Sequence, residues 1–466
     1  MKFFSNLITL PAELIAFILL IIFLFVLNNY GNIKQRKKKK LQNLKLKKPE
    51  EAHGILFGKK GKNIVCSPEE REGHVLVSSS SGAGKTSSIA IPTIRSWTGP
   101  CFVIDISGDI CKNCPDIDHK LIYNYEDPKT TPYNIFGTID QLNNPAEQNE
   151  SLAQLAFLLM PEKPGMNENA AFFYKNGRSI LISALIAFYH QGHDFPEIMQ
   201  KIANSSWQEL FQAIDFSKDS DAITFINGFV GSDSKNTAGC FQSLQDNLSL
   251  FLTNKKIQNT IRRPNGNETY ITPKDIESNT IFCVIPEEKL MMLSPLMNIM
   301  TSQIMEYISQ RSVTEHSKTI LLVLDEFASL MIDANKILEG VRRFRKRKCR
   351  IMILTQNICD FDVLYQNREI TRAILSNLKF KVLLGGGGLG DLESQRYFAD
   401  VIGTKETKKR GKSRNARSIT ITESISKEYI IEPAELDRLD QDTVLLIAPS
   451  EGNGFLLLKK NYFFKK

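Results

Sequence analysis

His74–Pro92 reads HVLVSSSSGAGKTSSIAIP. His74 to Val77 is a short apolar run suited to a buried strand. Ser78 to Ala83 are small, so a ligand can approach the backbone closely. Gly84-Lys85-Thr86 then opens a stretch, Ser87–Ser96, that can be helical. Strand, small-residue loop and helix start form the setting of a phosphate-binding loop, because the N–H groups and the dipole of a helix N-terminus both favour an anion. On this reading Ser81, Gly82, Ala83, Gly84, Lys85, Thr86 and Ser87 hold the phosphates. Lys85 reaches the β- and γ-phosphates, and the Thr86 hydroxyl binds Mg²⁺. The full spacing G-x-x-x-x-G-K-[ST] puts Ser79 where the first glycine is expected, which leaves the turn geometry open. A Ser/Gly-rich surface loop is the plainer alternative.

A second motif bears on that choice. Thr319–Leu330 reads TILLVLDEFASL. Ile320–Leu324 is a continuous apolar run, as expected of a strand buried on both faces, and it delivers Asp325-Glu326. The first carboxylate can hold Mg²⁺ and the second can polarise an attacking water. Arg350–Leu354 is another such run and delivers Thr355-Gln356, where a glutamine can orient water or sense the γ-phosphate. Cys101–Ile106 completes a strand–helix–strand pattern with the loop, which implies a parallel sheet with helices on its faces. Asp105 in that strand either faces the loop or is a turn residue.

The chain has 466 residues, 42% hydrophobic and 24% charged, which is globular usage with room for several domains. Gln148–Met160, Ala170–Gln191, Phe195–Ala203 and Trp207–Ile214 carry helical spacing. They read as an all-α insertion in an α/β domain, with Phe172, Phe173 and Tyr174 in its core. Strands return at Thr280–Ile285, Thr443–Ile447 and Phe455–Leu458, and a helix at Leu290–Tyr307. The expected division is 1–48 anchor and linker, 49–144 first α/β part, 145–262 helical insertion and 263–466 second α/β part. Arg342, Arg343, Arg345, Lys346, Arg347, Lys348 and Arg350 crowd into one short run, which implies an anionic partner, phosphate or nucleic acid. Thr404–Arg417, also basic, reads as an exposed mobile loop.

The net charge of +8 belongs to Lys34–Lys48, whose nine basic residues include no acid among them. Before it lies an apolar segment, Ile8–Leu27, long enough to span a bilayer with Glu13 near an interface. The basic run follows the apolar one, so the positive-inside rule puts the bulk of the chain in the cytoplasm. The eight cysteines are scattered, and Cys111/Cys114 form the only CxxC. That pattern reads as ordinary reduced cysteines in a loop, with a redox or metal site as the alternative.

Taken together, SSGAGKTSS, WTGPCFVIDISGD, DPKTTPYNIF, AAFFYKNGRSILISALIAF, LLVLDEFASL, ILTQN and FDVLYQ resemble the type IV secretion coupling proteins, the TraG/TraD-like conjugative coupling ATPases. The resemblance covers nearly the whole length. It implies a RecA-like P-loop domain with a mostly parallel sheet, interrupted by an all-α domain, after an N-terminal transmembrane helix. It implies an ATPase that uses ATP and Mg²⁺, assembles as a homohexamer at the bacterial inner membrane, and drives DNA or secreted proteins such as a relaxase into a type IV secretion channel. Carried over by position, Lys85 and Thr86 are the loop pair, Asp325 the metal ligand, Glu326 the catalytic carboxylate, Gln356 the sensor and Arg345 an arginine finger. The sequence departs from the family in Ser79, in its single evident transmembrane segment and in the lack of a long C-terminal extension. The alternatives are a nucleotide-gated docking platform with little hydrolysis, and an FtsK/HerA-like DNA translocase.

Overall fold

The computed structural model of the chain describes residues 43–161, 165–387, 391–415, 418–448 and 454–464. The expected membrane span Ile8–Leu27 lies outside them. Among the described residues no helix is long and apolar enough to cross a membrane.

The chain enters one large sheet through β1 (Lys45–Lys47), β2 (Ile55–Lys60) and β3 (Asn63–Ser67). Then come β4 (Val75–Ser78), β5 (Cys101–Ile106), β6 (Lys120–Tyr123), β7 (Thr280–Ile285), β8 (Ile320–Leu324), β9 (Cys349–Thr355) and β10 (Phe380–Leu384). These lie in the order β10-β4-β9-β8-β5-β7-β6, every neighbouring pair parallel. On the β10 side, β13 (Thr443–Ile447), β14 (Phe455–Lys459), β2, β3 and β1 extend the sheet antiparallel. The mixed α/β architecture with its largely parallel sheet is the one the strand–helix–strand pattern implies.

Uninterrupted apolar strands suit this sheet because both faces are covered. In β8, Ile320, Leu322 and Leu324 join the core on one face, and Leu321 and Val323 join the core on the other. The helix after the phosphate loop lies on the second face. It opens with a wide π turn, Thr86–Ala90, before α1 (Ile91–Ser96). Pro92 in the first turn of α1 has no N–H to return to an i−4 carbonyl, and the Ile91 N–H reaches Thr86 instead. The short α2 (Asp109–Lys112) follows β5.

Between β6 and β7 the chain runs through helices alone: α3 (Pro145–Leu159), α4 (Glu168–His190), α5 (Phe195–Asn204), α6 (Trp207–Ser217), α7 (Ser220–Asn227), α8 (Ser234–Thr253) and α9 (Lys255–Thr260). Each begins on an Asn, Asp or Ser whose side chain accepts a first-turn N–H: Asn144, Asn167, Asp194, Ser206, Asp219, Asp233 and Asn254. Ile180–Tyr189 of α4 is buried on all sides, so α4 is the axis of this bundle. Where the bundle meets the sheet, Arg263 forks onto Asp140 and stacks over Phe136 and Tyr189. Tyr133 donates to the Gln303 side chain, whose amide returns to the Ile135 carbonyl. The family-like segment DPKTTPYNIF thus ties the bundle to α10 (Leu290–Gln310).

Two expectations are corrected. Thr404–Asn415, most of the expected loop, is a strand: β11 (Thr404–Asn415) and β12 (Ser418–Tyr429) pair along their length as an antiparallel ribbon. The β-branched alternation of Ser418–Tyr429 supplies the partner that the basic strand lacks by itself. Phe172 is 50% exposed although Tyr174 is buried. Of the cations in Arg342–Arg350, Arg342, Arg343, Arg345 and Lys346 are exposed, Arg347 and Lys348 are half-buried and Arg350 alone is buried. Arg350 is buried and donates to Ser67, Pro68 and Gly73 carbonyls. Lys348 donates to the carbonyls of Thr314, Glu315 and Ser317, and Arg347 to that of Arg311. Arg343 pairs with Glu339 one turn back.

Candidate nucleotide site

The loop Ser79–Lys85 leaves β4 at the carboxyl edge of the parallel strands, flanked by β10 and β9. The Ser79 N–H donates to the Thr355 carbonyl, extending the β4–β9 ladder by one rung. Ser79 is not among the residues with positive φ, so its position makes no demand for glycine. Gly82 (φ +75) and Gly84 (φ +92) carry the left-handed turns instead. The Ser80 hydroxyl is buried with no hydrogen-bond partner among the described residues.

Lys85 is buried and folds back across the loop, with Nζ 2.9 Å from the Ser79 carbonyl and 3.9 Å from Glu326 Oε1. Burial lowers its pKa, and Glu326, Asp325 and Asp360 oppose that shift. Glu326 is held at φ +44, an αL conformation that turns its carboxylate back toward the loop. Gln356 Nε2 donates to Glu326 Oε2 at 3.3 Å, and the Ser78 hydroxyl donates to the Gln356 carbonyl at 3.1 Å. Asp325 is buried beside them. Burial pushes its carboxyl up to about 7, with Glu326 and Asp105 adding to the effect. The structure therefore gathers Lys85, Asp325, Glu326 and Gln356, drawn from three adjacent strand ends, at one place.

This set fits a magnesium nucleotide. The loop offers small residues Ser81–Gly84, an unsatisfied hydroxyl on Ser80, a lysine and the Thr86 hydroxyl at the helix start. Two adjacent carboxylates, one with its ionised form disfavoured, are an electrostatic setting that a divalent cation relieves. Asp105 acts on this set only through its charge on Asp325. It lies within β5, and its carboxylate accepts the N–H groups of Ile110 and Cys111 at the start of α2. Cys111 and Cys114 are free, and burial raises both thiols, Cys114 to about 11. Among the described residues there is no cluster of metal-ligating side chains of the zinc type.

Arg345 is not brought to this place. It precedes β9, whereas the loop follows β4, so it lies at the opposite edge of the sheet. It is 66% exposed and pairs with Glu72. Sequence reading missed Lys460. Its buried ammonium donates to the Ala83 carbonyl at 2.7 Å and the Gly385 carbonyl at 2.8 Å, so the last strand's exit braces the loop from behind. No local pattern announces a contact between residues so far apart in the chain.

A family model described as type IV secretory system conjugative DNA transfer matches residues 26–466. Protein VirD4 of Rhizobium radiobacter is 22% identical over 435 residues, which cover 88% of this chain but 60% of that protein's length. The unbound coupling protein TrwBdeltaN70 superposes with a TM-score of 0.64 at 17% identity, covering 84% of this chain and 85% of that one. TrwB in complex with ADP and Mg²⁺ gives 0.63 at 17% identity, with 84% and 85% covered. At these identities the structural likeness establishes the shared fold, and the family match, spanning all the elements described above, places the chain in the type IV secretory system conjugative DNA transfer family.

Proposed function

We propose that this chain is a Mg²⁺-dependent ATPase that couples hydrolysis to moving DNA, with or without attached protein, into a type IV secretion channel. The observation that carries the reading is the meeting of Lys85, Glu326 and Gln356 at the carboxyl edge of the parallel sheet. The backbone of Ser81–Ser87 would cradle the phosphates, with Lys85 on the β- and γ-phosphates. Thr86 and Asp325 would hold Mg²⁺, which when bound supplies charge neutralisation on the phosphate oxygens. Glu326 then takes the proton of the attacking water at its carboxylate, and Gln356 fixes that carboxylate's orientation.

The family match, the VirD4 relative and the nucleotide-bound TrwB structures support the reading. In it, the apolar segment Ile8–Leu27 anchors the chain in the inner membrane with residues after it in the cytoplasm. Six copies form a ring, and Arg345 of one faces the nucleotide of the next. Exposed cations, Arg342, Lys346, Lys405 and Lys408 among them, give DNA a sequence-independent electrostatic surface.

The deciding experiment is turnover by the purified chain with and without Mg²⁺, together with the Lys85→Ala variant. Mg²⁺-dependent phosphate release lost in the variant is the expected result. Tight nucleotide binding without release would select the docking platform.

A further inference from the structure

Past β14 the chain turns back over the phosphate loop. Lys460 is fixed as described, and its N–H donates to the Asp442 carbonyl. The Tyr462 ring lies against Gly84, close enough that a β-carbon there would sit 3.3 Å from the ring. Its hydroxyl lies near the Asp442 carboxylate. The Phe463 N–H donates to the Ser87 carbonyl at 3.1 Å, and its ring lies under the Arg95 guanidinium. Phe464 faces Tyr462 at 5.2 Å between centroids with planes 30° apart, and is 59% exposed. An aromatic pair thus stands at the first turn after Lys85-Thr86, with one ring open to solvent.

The strand order gives this pair a direction. In the run β14-β13-β10-β4-β9-β8, Glu326 and Gln356 lie on the β9–β8 side of the loop. Lys460, Asp442 and Gly385 lie on the β10–β13 side. A nucleotide whose γ-phosphate points to Glu326 must run its nucleoside the other way, past Ser87 and toward residues 460–464. We propose that residues 460–464 form the nucleoside side of the nucleotide site, with Tyr462 and Phe464 as the aromatic surface on which the base stacks. This rests on the nucleotide reading above. Stacking uses the π-face that every base has, so the surface binds adenine and guanine nucleotides alike.

The test titrates the full-length chain with Mg²⁺ and either ATPγS or inorganic tripolyphosphate, which keeps the phosphates and lacks the base. Tyr462→Ala and Phe464→Ala should each weaken ATPγS by about 5- to 100-fold, the range base–aromatic stacking commands, and leave tripolyphosphate unchanged. Tyr462→Phe should keep most of the affinity, because the ring remains. Phe464, being exposed, can be truncated with little risk to the fold. ATPγS binding unchanged in both alanine variants overturns the proposal. So does a parallel loss of tripolyphosphate, which would make the segment a brace for the loop alone. Lys85→Ala separates the two layers: it should weaken both ligands, and if it weakens neither, the nucleotide reading itself is wrong.

Discussion

Lys85, Glu326 and Asp325 sit within one small volume, yet their substitutions should fail in different ways. Lys85→Ala removes the group that trades the Ser79 carbonyl for a phosphate, and hydrolysis should fall roughly 10²–10³-fold. Glu326→Gln keeps the bond from Gln356 within reach but cannot take a proton. It should bind ATP as the parent does and turn it over about 10²–10⁴-fold more slowly in a steady-state phosphate assay. Parental turnover in Glu326→Gln would remove that residue's role. For Asp325 the lever is pH. Its carboxyl, raised to about 7, is half protonated where an ordinary aspartate is ionised. Mg²⁺ takes the ionised form only, so Mg²⁺ affinity should drop about tenfold per pH unit below 7 and level off above it. With no cation bound, the folded chain keeps a proton the unfolded chain has released between about pH 4 and 7, so this group makes the fold less stable as pH rises across that window. Mg²⁺ titrations at pH 6, 7 and 8 with the same midpoint would contradict the assignment.

Among the elements, the contrast between the basic run and the ribbon shows what sequence can and cannot reveal. The strands β4, β5, β7, β8 and β9 are legible because a sheet covered on both faces needs unbroken apolar runs. Glu326 and Gln356 are legible because ligands gather where such strands end. Arg350 is not, since its acceptors come from Ser67–Gly73 across the sheet and no charge pattern announces them. Ser79 looks like a flaw in the motif only until its backbone is seen to need no glycine. The ribbon is missed because Lys, Arg, Gly and Ser favour coil reading, whereas pairing with β12 decides the matter. Two outcomes follow. Arg350→Met leaves several buried acceptors without a donor and should cost about 3 kcal/mol or more in urea unfolding. Arg342→Ala with Lys346→Ala should leave stability within about 0.5 kcal/mol but lower DNA affinity and flatten its dependence on salt by up to about two phosphate contacts. Unchanged salt dependence would place the DNA elsewhere.

For the whole molecule, Arg345 lies across the sheet from its own chain's loop, so any contact it makes with nucleotide is with that of another copy. Lys85→Ala subunits have a dead site and an intact Arg345; Arg345→Ala subunits have the reverse. Mixing the two inactive proteins should restore part of the ATPase, by building interfaces with one good residue from each. No recovery despite demonstrated co-assembly, or normal hydrolysis by Arg345→Ala alone, would leave Arg345 as a surface partner of Glu72. The topology carries one more consequence. β6 and β7 lie side by side, though residues 124–279 separate them in the chain. Closing so long a loop is costly until something shortens it, and the capped helices of the bundle can form from local contacts first. The molecule should therefore acquire structure in a definite sequence of events. In pulsed hydrogen exchange during refolding, amides of α4 and α8 should become protected before those of β6, whose pairing with β7 waits for the bundle to bring its own ends together.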